Sequence, residues 1–126
     1  MRNDHDKLYL LEFLQKNIDY FRSLPSALLK IIVRRLGAEE FKAGETIFNK
    51  GDIGDKMYIV FDGEALVVLE GQTRETASIR KIFKEVVGEK ALEKNEVRGA
   101  TIIAHTDLKL MVVSQEDYKE ACLLQK

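Results

Sequence analysis

Apolar residues in the first third of the chain recur at intervals of three and four. Between Leu8 and Phe21, the side chains of Leu10, Leu11, Phe13, Leu14, Ile18 and Phe21 fall on one face of a helix. Ser23 and Pro25 predict a stop and a fresh start, because serine caps helix N-termini and proline loses no hydrogen bond in a first turn. Leu28, Leu29, Ile32, Val33 and Leu36 form a second apolar face, and Gly37 is expected to close that helix. From Glu40 onward short runs alternate. Thr46-Ile47-Phe48, Met57 to Phe61, Glu64 to Leu69, Thr101 to Ala104 and Leu108 to Val113 are rich in β-branched and aromatic residues. Gly44, Gly51, Gly54, Gly63 and Gly71 separate such runs and read as turn residues. Strands this short, with regular turn signals, predict an all-β barrel or jelly roll. Helix returns at the end, where Ser114 and Asp117 approximate a capping box. Tyr118, Ala121 and Cys122 are expected to face inward there, with Leu123 or Leu124 following.

The order of helices, β block and helix predicts one domain over residues 1–126. Its parts are a helical region at 1–37, a barrel at 38–113 and a C-terminal helix at 114–126. Apolar residues make up 45% of the chain, enough for a core, and charged residues make up 33%. Twenty basic against twenty-one acidic residues leave a net charge of −1, which lacks the basic imbalance of a nucleic-acid binder. No apolar run approaches the roughly 20 residues of a membrane helix, and the residues after Met1 do not form a signal peptide. The chain is therefore expected to be cytoplasmic, with neither nucleic acid nor membrane as a partner. Cys122 is the one cysteine, so no intramolecular disulfide forms. His5 and His105 are far apart and make no metal site. A metal-dependent oxygenase on a similar barrel needs clustered histidines and carboxylates, which are absent here. The expectation is a protein that is not an enzyme and carries no cofactor.

One stretch inside the β block does not read as a strand. From Val86 it runs through Gly88, Glu89, Lys90, Ala91, Leu92, Asn95 and Arg98 to Thr101. Gly88 permits a sharp turn, and Glu89 through Lys94 are good helix formers, enough for a turn or two. A short helix between barrel strands leaves N–H groups at its start without partners, a setting that favours an anion. Arg98 brings a guanidinium fork suited to phosphate, and Glu89 offers a carboxylate that can accept a hydrogen bond from a sugar hydroxyl. A blander alternative makes Glu89 and Arg98 a structural ion pair.

This stretch resembles the phosphate-binding cassette of the cyclic-nucleotide-binding domain family, known from kinase regulatory subunits and catabolite activators. That cassette reads Phe-Gly-Glu-x-Ala-Leu, a spacer, then Pro-Arg-x-Ala-Thr. Gly88, Glu89, Ala91, Leu92, Arg98, Ala100 and Thr101 fall on it without a gap, within a cassette at 87–101. A second signature, Gly-Asp-x-Gly-Asp before an aromatic strand, appears as Gly51-Asp52-Ile53-Gly54-Asp55 ahead of Tyr58. The resemblance implies a double-stranded β-helix (jelly-roll) barrel with an N-terminal helical bundle, a short cassette helix and a C-terminal helix. It implies a ligand, cAMP or cGMP, held by Gly88, Glu89, Lys90, Ala91, Leu92, Arg98, Gly99, Ala100 and Thr101. In that scheme Glu89 holds the ribose 2′-hydroxyl, Arg98 pairs with the cyclic phosphate, and amides around Ala91 and Ala100 complete the cradle. Leu92 reports binding to the neighbouring helices, while Leu66, Val68, Ile79 and Ile103 are candidates for the barrel wall near the base.

Some positions depart from the family pattern. Val87 and Val97 replace its Phe and Pro, and Ile82-Phe83-Lys84-Glu85 replaces a Gly-Asp pair, which predicts a longer or irregular entry strand. Gly99 stands where a Thr or Ser accompanies cGMP preference in related domains, so the resemblance leans toward cAMP. The helix that closes over the base in the family has no counterpart before Lys126, so the chain reads as part of a larger regulated protein. The implied partner is an effector domain or kinase catalytic subunit, in the same or another chain. The rival reading is a non-binding module of the same fold that acts as a protein-interaction scaffold.

Overall fold

A computed structural model describes residues 4–125, without the side chains of residues 4–8, 10, 20 and 125. The expectations for the side chains of His5 and Leu10, and for residues 1–3 and Lys126, fall outside that description. The first apolar stripe forms two helices rather than one: α1 (Asp4–Asn17) and α2 (Asp19–Arg22). The break lies at Ile18, which is extended at φ −114° and ψ 108°. Its side chain stays buried there with those of Phe13, Leu14 and Phe21, so the bend lets a single stripe wrap its core. α3 (Ser26–Arg35) follows with Pro25 at its N-cap and no side-chain cap, so Ser23 does not cap it. Gly37 does not close α3 either; it opens the first strand.

Ten strands follow: β1 (Gly37–Phe41), β2 (Thr46–Phe48), β3 (Ile53–Gly54), β4 (Lys56–Asp62), β5 (Ala65–Val68), β6 (Ile79–Lys81), β7 (Val86–Val87), β8 (Glu96–Val97), β9 (Thr101–Ala104) and β10 (Leu108–Ser114). They pair as two four-stranded sheets, β1-β10-β4-β7 and β2-β9-β5-β6, plus a two-stranded ribbon β3-β8. Every pairing is antiparallel. This is the jelly-roll arrangement expected, with helices flanking it. α4 (Gln115–Gln125) closes the described chain, and the Ser114 hydroxyl accepts the Asp117 N–H at 3.1 Å, as the capping pattern predicts. Ala121 is buried and Tyr118 and Cys122 pack beside it, whereas Leu123 and Leu124 are exposed.

Side-chain alternation along β4 divides the interior in two. Tyr58 and Val60 point between the sheets, with Ala65, Val67, Ile102, Ala104, Leu108, Leu110 and Val112. Met57 and Ile59 point the other way, into a second core with Met111, Val113 and the apolar faces of α1, α3 and α4. Each large side chain fully withdrawn from water, such as Phe21, Leu14 or Leu29, contributes roughly 1.5–3 kcal/mol. The register Val67↔Ile102 and Leu66↔Ile103 puts Leu66 and Ile103 on the face of their sheet away from the inter-sheet core. Val68 lies on that face as well, two positions from Leu66. Of the four expected wall residues, only Ile79, opposite Val67, shares the inner face, and it is partly exposed on an edge strand.

The entry to β7 is a tight turn rather than a long or irregular strand. Glu85 N–H donates to Ile82 O at 2.9 Å, and the Glu85 carboxylate accepts the Ile82 N–H at 2.8 Å. Lys84 sits in that turn at φ 68°, a left-handed conformation that favours glycine. The Lys84 N–H donates to Val60 O and the Val60 N–H to Glu85 O, so the turn is stitched directly to β4.

Candidate functional site

The cassette begins where β7 pairs with β4, Val87 opposite Tyr58. Gly88 then turns the chain at φ 79° and ψ 24°, a left-handed conformation that a side chain would strain. It starts a single 3-10 turn, Glu89–Leu92, the shorter end of the one or two turns expected, and the chain leaves it before Lys94. The Ala91 N–H donates to Gly88 O at 3.0 Å to close that turn. One amide expected in the anion cradle is therefore already used by the turn, and four residues supply little dipole.

Arg98 follows the β3-β8 ribbon, in which Ile53 pairs with Val97 and Gly54 with Glu96. Its own N–H donates to Asp52 O, and its carbonyl accepts the Gly51 N–H, both at 2.8 Å. The Gly51-to-Asp55 segment thus clamps Arg98 in place, which joins the two separate sequence signatures into one structural unit. The guanidinium is buried, with the residue only 4% exposed. It lies 4.2 Å from the centre of the Phe48 ring, which tilts in turn against Tyr58 at 5.9 Å. Nη2 donates to Lys56 O at 2.8 Å. Nη1 has no hydrogen-bond partner; its nearest carboxylate, that of Glu96, is 3.6 Å away, beyond good hydrogen-bond reach.

Two glycines make room for that group. A Cβ on Gly54 would lie 2.2 Å from the Arg98 Cζ, and one on Gly88 would lie 2.3 Å from Nη1. Gly54 is therefore not a turn glycine, as its spacing suggests, but the floor under the guanidinium. A buried donor without a partner costs roughly 1–3 kcal/mol, and an anion at Nη1 recovers that cost through a charge-assisted bond.

The other expected site residues are distributed as follows. Glu89 is half-buried and lines a groove of about 530 Å³ together with Asn17, Ile18, Lys81 and Lys84. No ion pair joins it to Arg98 among the described residues, so the blander structural pairing of these two is not what holds the cassette. Lys90 is exposed. Leu92 is fully buried among the helices, in the same core as Phe13, Leu29 and Ala121. Gly99 is exposed, with open space where a side chain would sit. Ala100 packs against the inter-sheet core, and the Thr101 hydroxyl accepts the Lys50 N–H at 2.9 Å. Sequence reasoning missed Phe48, Gly54, Lys56 and Glu96 as parts of this neighbourhood. Glu96 carried a signal, since residues two apart on a strand point to one side.

Two groups beside the site titrate abnormally. Glu39 raises the Lys56 ammonium above the ordinary lysine value, with burial working against it. Burial raises the Tyr58 phenol, Glu39 adds to that, and Lys56 and Arg98 oppose it. Among the described residues no cluster of histidine, cysteine and carboxylate side chains is placed to hold a metal ion. No described helix is long and apolar enough to cross a membrane.

The fold is thus an antiparallel jelly roll that carries a glycine-floored, arginine-lined turn between strands. The family model "Cyclic nucleotide-binding domain" matches residues 38–124, and the chain belongs to that family. It is 39% identical over 88 residues to a cGMP-dependent protein kinase of Toxoplasma gondii, covering 70% of this chain and 8% of that protein. It is 28% identical over 120 residues to a cAMP-dependent protein kinase regulatory subunit of Mucor circinelloides, covering 94% of this chain and 28% of that one. The chain thus spans less than a third of either relative. The cAMP-bound structure of PfPKA-R superposes with a TM-score of 0.80 at 26% identity, covering 96% of this chain and 43% of that one.

Proposed function

We propose that this chain is a regulatory module that binds a cyclic nucleotide, cAMP in preference to cGMP, and is not itself an enzyme. The observation that carries the reading is the buried Arg98 guanidinium with its unpartnered Nη1 beside the Gly88 turn. In this reading Arg98 pairs with the cyclic phosphate and Glu89 accepts from the ribose 2′-hydroxyl. Gly88, Lys90, Gly99, Ala100 and Thr101 shape the cassette around them, and the amide near Ala100 helps to cradle the phosphate. Gly99 lacks the hydroxyl that accompanies cGMP preference in related domains, which favours cAMP. Leu92 couples the cassette to the helices, because its side chain belongs to their core. The chain acts in the cytoplasm within a larger protein, and the moving helices control an effector domain or a kinase catalytic subunit. The ligand shifts that equilibrium only as far as its affinity differs between the two arrangements.

Micromolar binding needs roughly 8 kcal/mol, and one charge-assisted bond contributes about 1.5–3 kcal/mol. Arg98 is thus a large share of the affinity without being all of it. Calorimetric titration of cAMP and cGMP into the wild type and into Arg98→Lys tests the assignment. Lysine keeps the charge but loses the fork that reaches Lys56 O and a phosphate together. At least tenfold weaker binding is expected for the variant. Equal affinity removes Arg98 from the ligand site, and a wild type that neither nucleotide binds or stabilises leaves the scaffold reading instead.

A further inference from the structure

Glu96 lies two residues before Arg98, on the strand whose partner is the Gly54 floor. Strand alternation sends the side chains of Ile53 and Val97 outward, where both are more than 60% exposed. The same alternation directs Glu96 to the side on which Arg98 is buried. Its Oε1 is 3.6 Å from Nη1, a buried guanidinium nitrogen with no hydrogen-bond partner, and its side chain keeps 29% exposure. This carboxylate is near enough to attract the arginine and too far to satisfy it.

We propose that Glu96 is a built-in counter-anion that holds the free face of Arg98 before ligand arrives and opposes a second anion there, so setting the affinity of the phosphate site. The inference rests on the nucleotide-binding reading above and adds to it a residue that tunes affinity without contacting the ligand. Two arguments support it. The orphaned donor is withdrawn from solvent and packed against the Gly88 backbone, and Glu96 is the carboxylate that lies beside it. An anion bound there comes within several ångströms of the Glu96 carboxylate, in a half-wet setting where like charges repel by an amount that matters to binding. Glu96 is a positioning residue, acting through Arg98.

Glu96→Gln removes the charge and keeps the shape; Glu96→Ala removes both. Each is expected to bind cAMP and cGMP about three- to tenfold more tightly than the wild type. The ligand-free melting temperature should change by no more than about 3 °C, since partly exposed ion pairs contribute little. A role confined to stability would lower the melting temperature and leave affinity unchanged or weaker. In the Arg98→Lys background the gain should vanish, which ties the effect to the guanidinium. If the wild type binds and both Glu96 variants bind equally or more weakly, the inference is overturned and the nucleotide site stands. If the wild type does not bind but Glu96→Gln does, Glu96 is the suppressing anion and the inference is upheld. If neither binds, both readings fall.

Discussion

Arg98 is a charged side chain treated as a core residue. Its guanidinium is stacked on Phe48, tied to Lys56 O and floored by Gly54 and Gly88. Gly54 then predicts a sharp outcome. In Gly54→Ala the new methyl overlaps the guanidinium, which must leave its place or push the β3-β8 ribbon apart. Stability is expected to fall by about 1–3 kcal/mol in chemical denaturation, with cyclic-nucleotide affinity reduced at least tenfold. A variant that binds as the wild type does would show that the guanidinium can act from elsewhere. The resemblance to a family cassette singled out Arg98, Glu89 and Leu92 as a set of expected site residues. The role of Gly54 was not legible, since a glycine between two aspartates reads as a turn until a strand partner is placed beside it. The missing link between Glu89 and Arg98 was equally hidden, because side-chain direction after a left-handed glycine is not written in the spacing.

At the scale of elements, the cassette turn is held from one side by α4. The Gln115 carboxamide donates to Ala91 O at 2.9 Å and to the Asn95 side chain at 3.1 Å, while the Gln115 N–H donates to Asp55 O at 2.8 Å. Arg35 at the end of α3 pairs with Asp117 and Glu120 of α4, so the same helix is tied to the N-terminal layer. Gln115→Ala is expected to cost about 1–2 kcal/mol and to speed amide hydrogen exchange in residues 89–92 above the rest of the barrel. Unchanged exchange there would mean that Leu92 alone anchors the turn. The longer strands and α3 were legible because their periodicity spans several residues. β1 was not, because its Gly-Ala-Glu-Glu-Phe run carries no apolar alternation, and neither were β3, β7 and β8, for two-residue strands carry no period and exist only through their partners. The split of the first helix at Ile18 was hidden for a related reason: its apolar stripe continues across the bend.

For the molecule as a whole, the first sheet is apolar on both faces, serving the barrel on one side and the helices on the other. This arrangement has an alkaline weakness. Lys56 holds its proton more tightly when folded, so its favourable charge is present at neutral pH and is lost as pH rises through its raised folded value. Tyr58 stays neutral when folded while an unfolded chain ionises at about pH 10, which works in the same direction. Melting temperature is expected to be flat near neutrality and to fall above about pH 10. Tyr58→Phe should make that fall shallower, as circular-dichroism melts across the range would register; an equally steep fall would place the titration elsewhere.

Leu92 gives this architecture its mechanical sense. It leaves the barrel to join the helical core, so the turn that starts at Gly88 is pinned by side chains from another layer. In the function proposed above, grip on the anion and tightness of the bundle are one variable seen from two ends: prying the helices from the sheet would loosen the pocket, and filling the pocket would brace the helices.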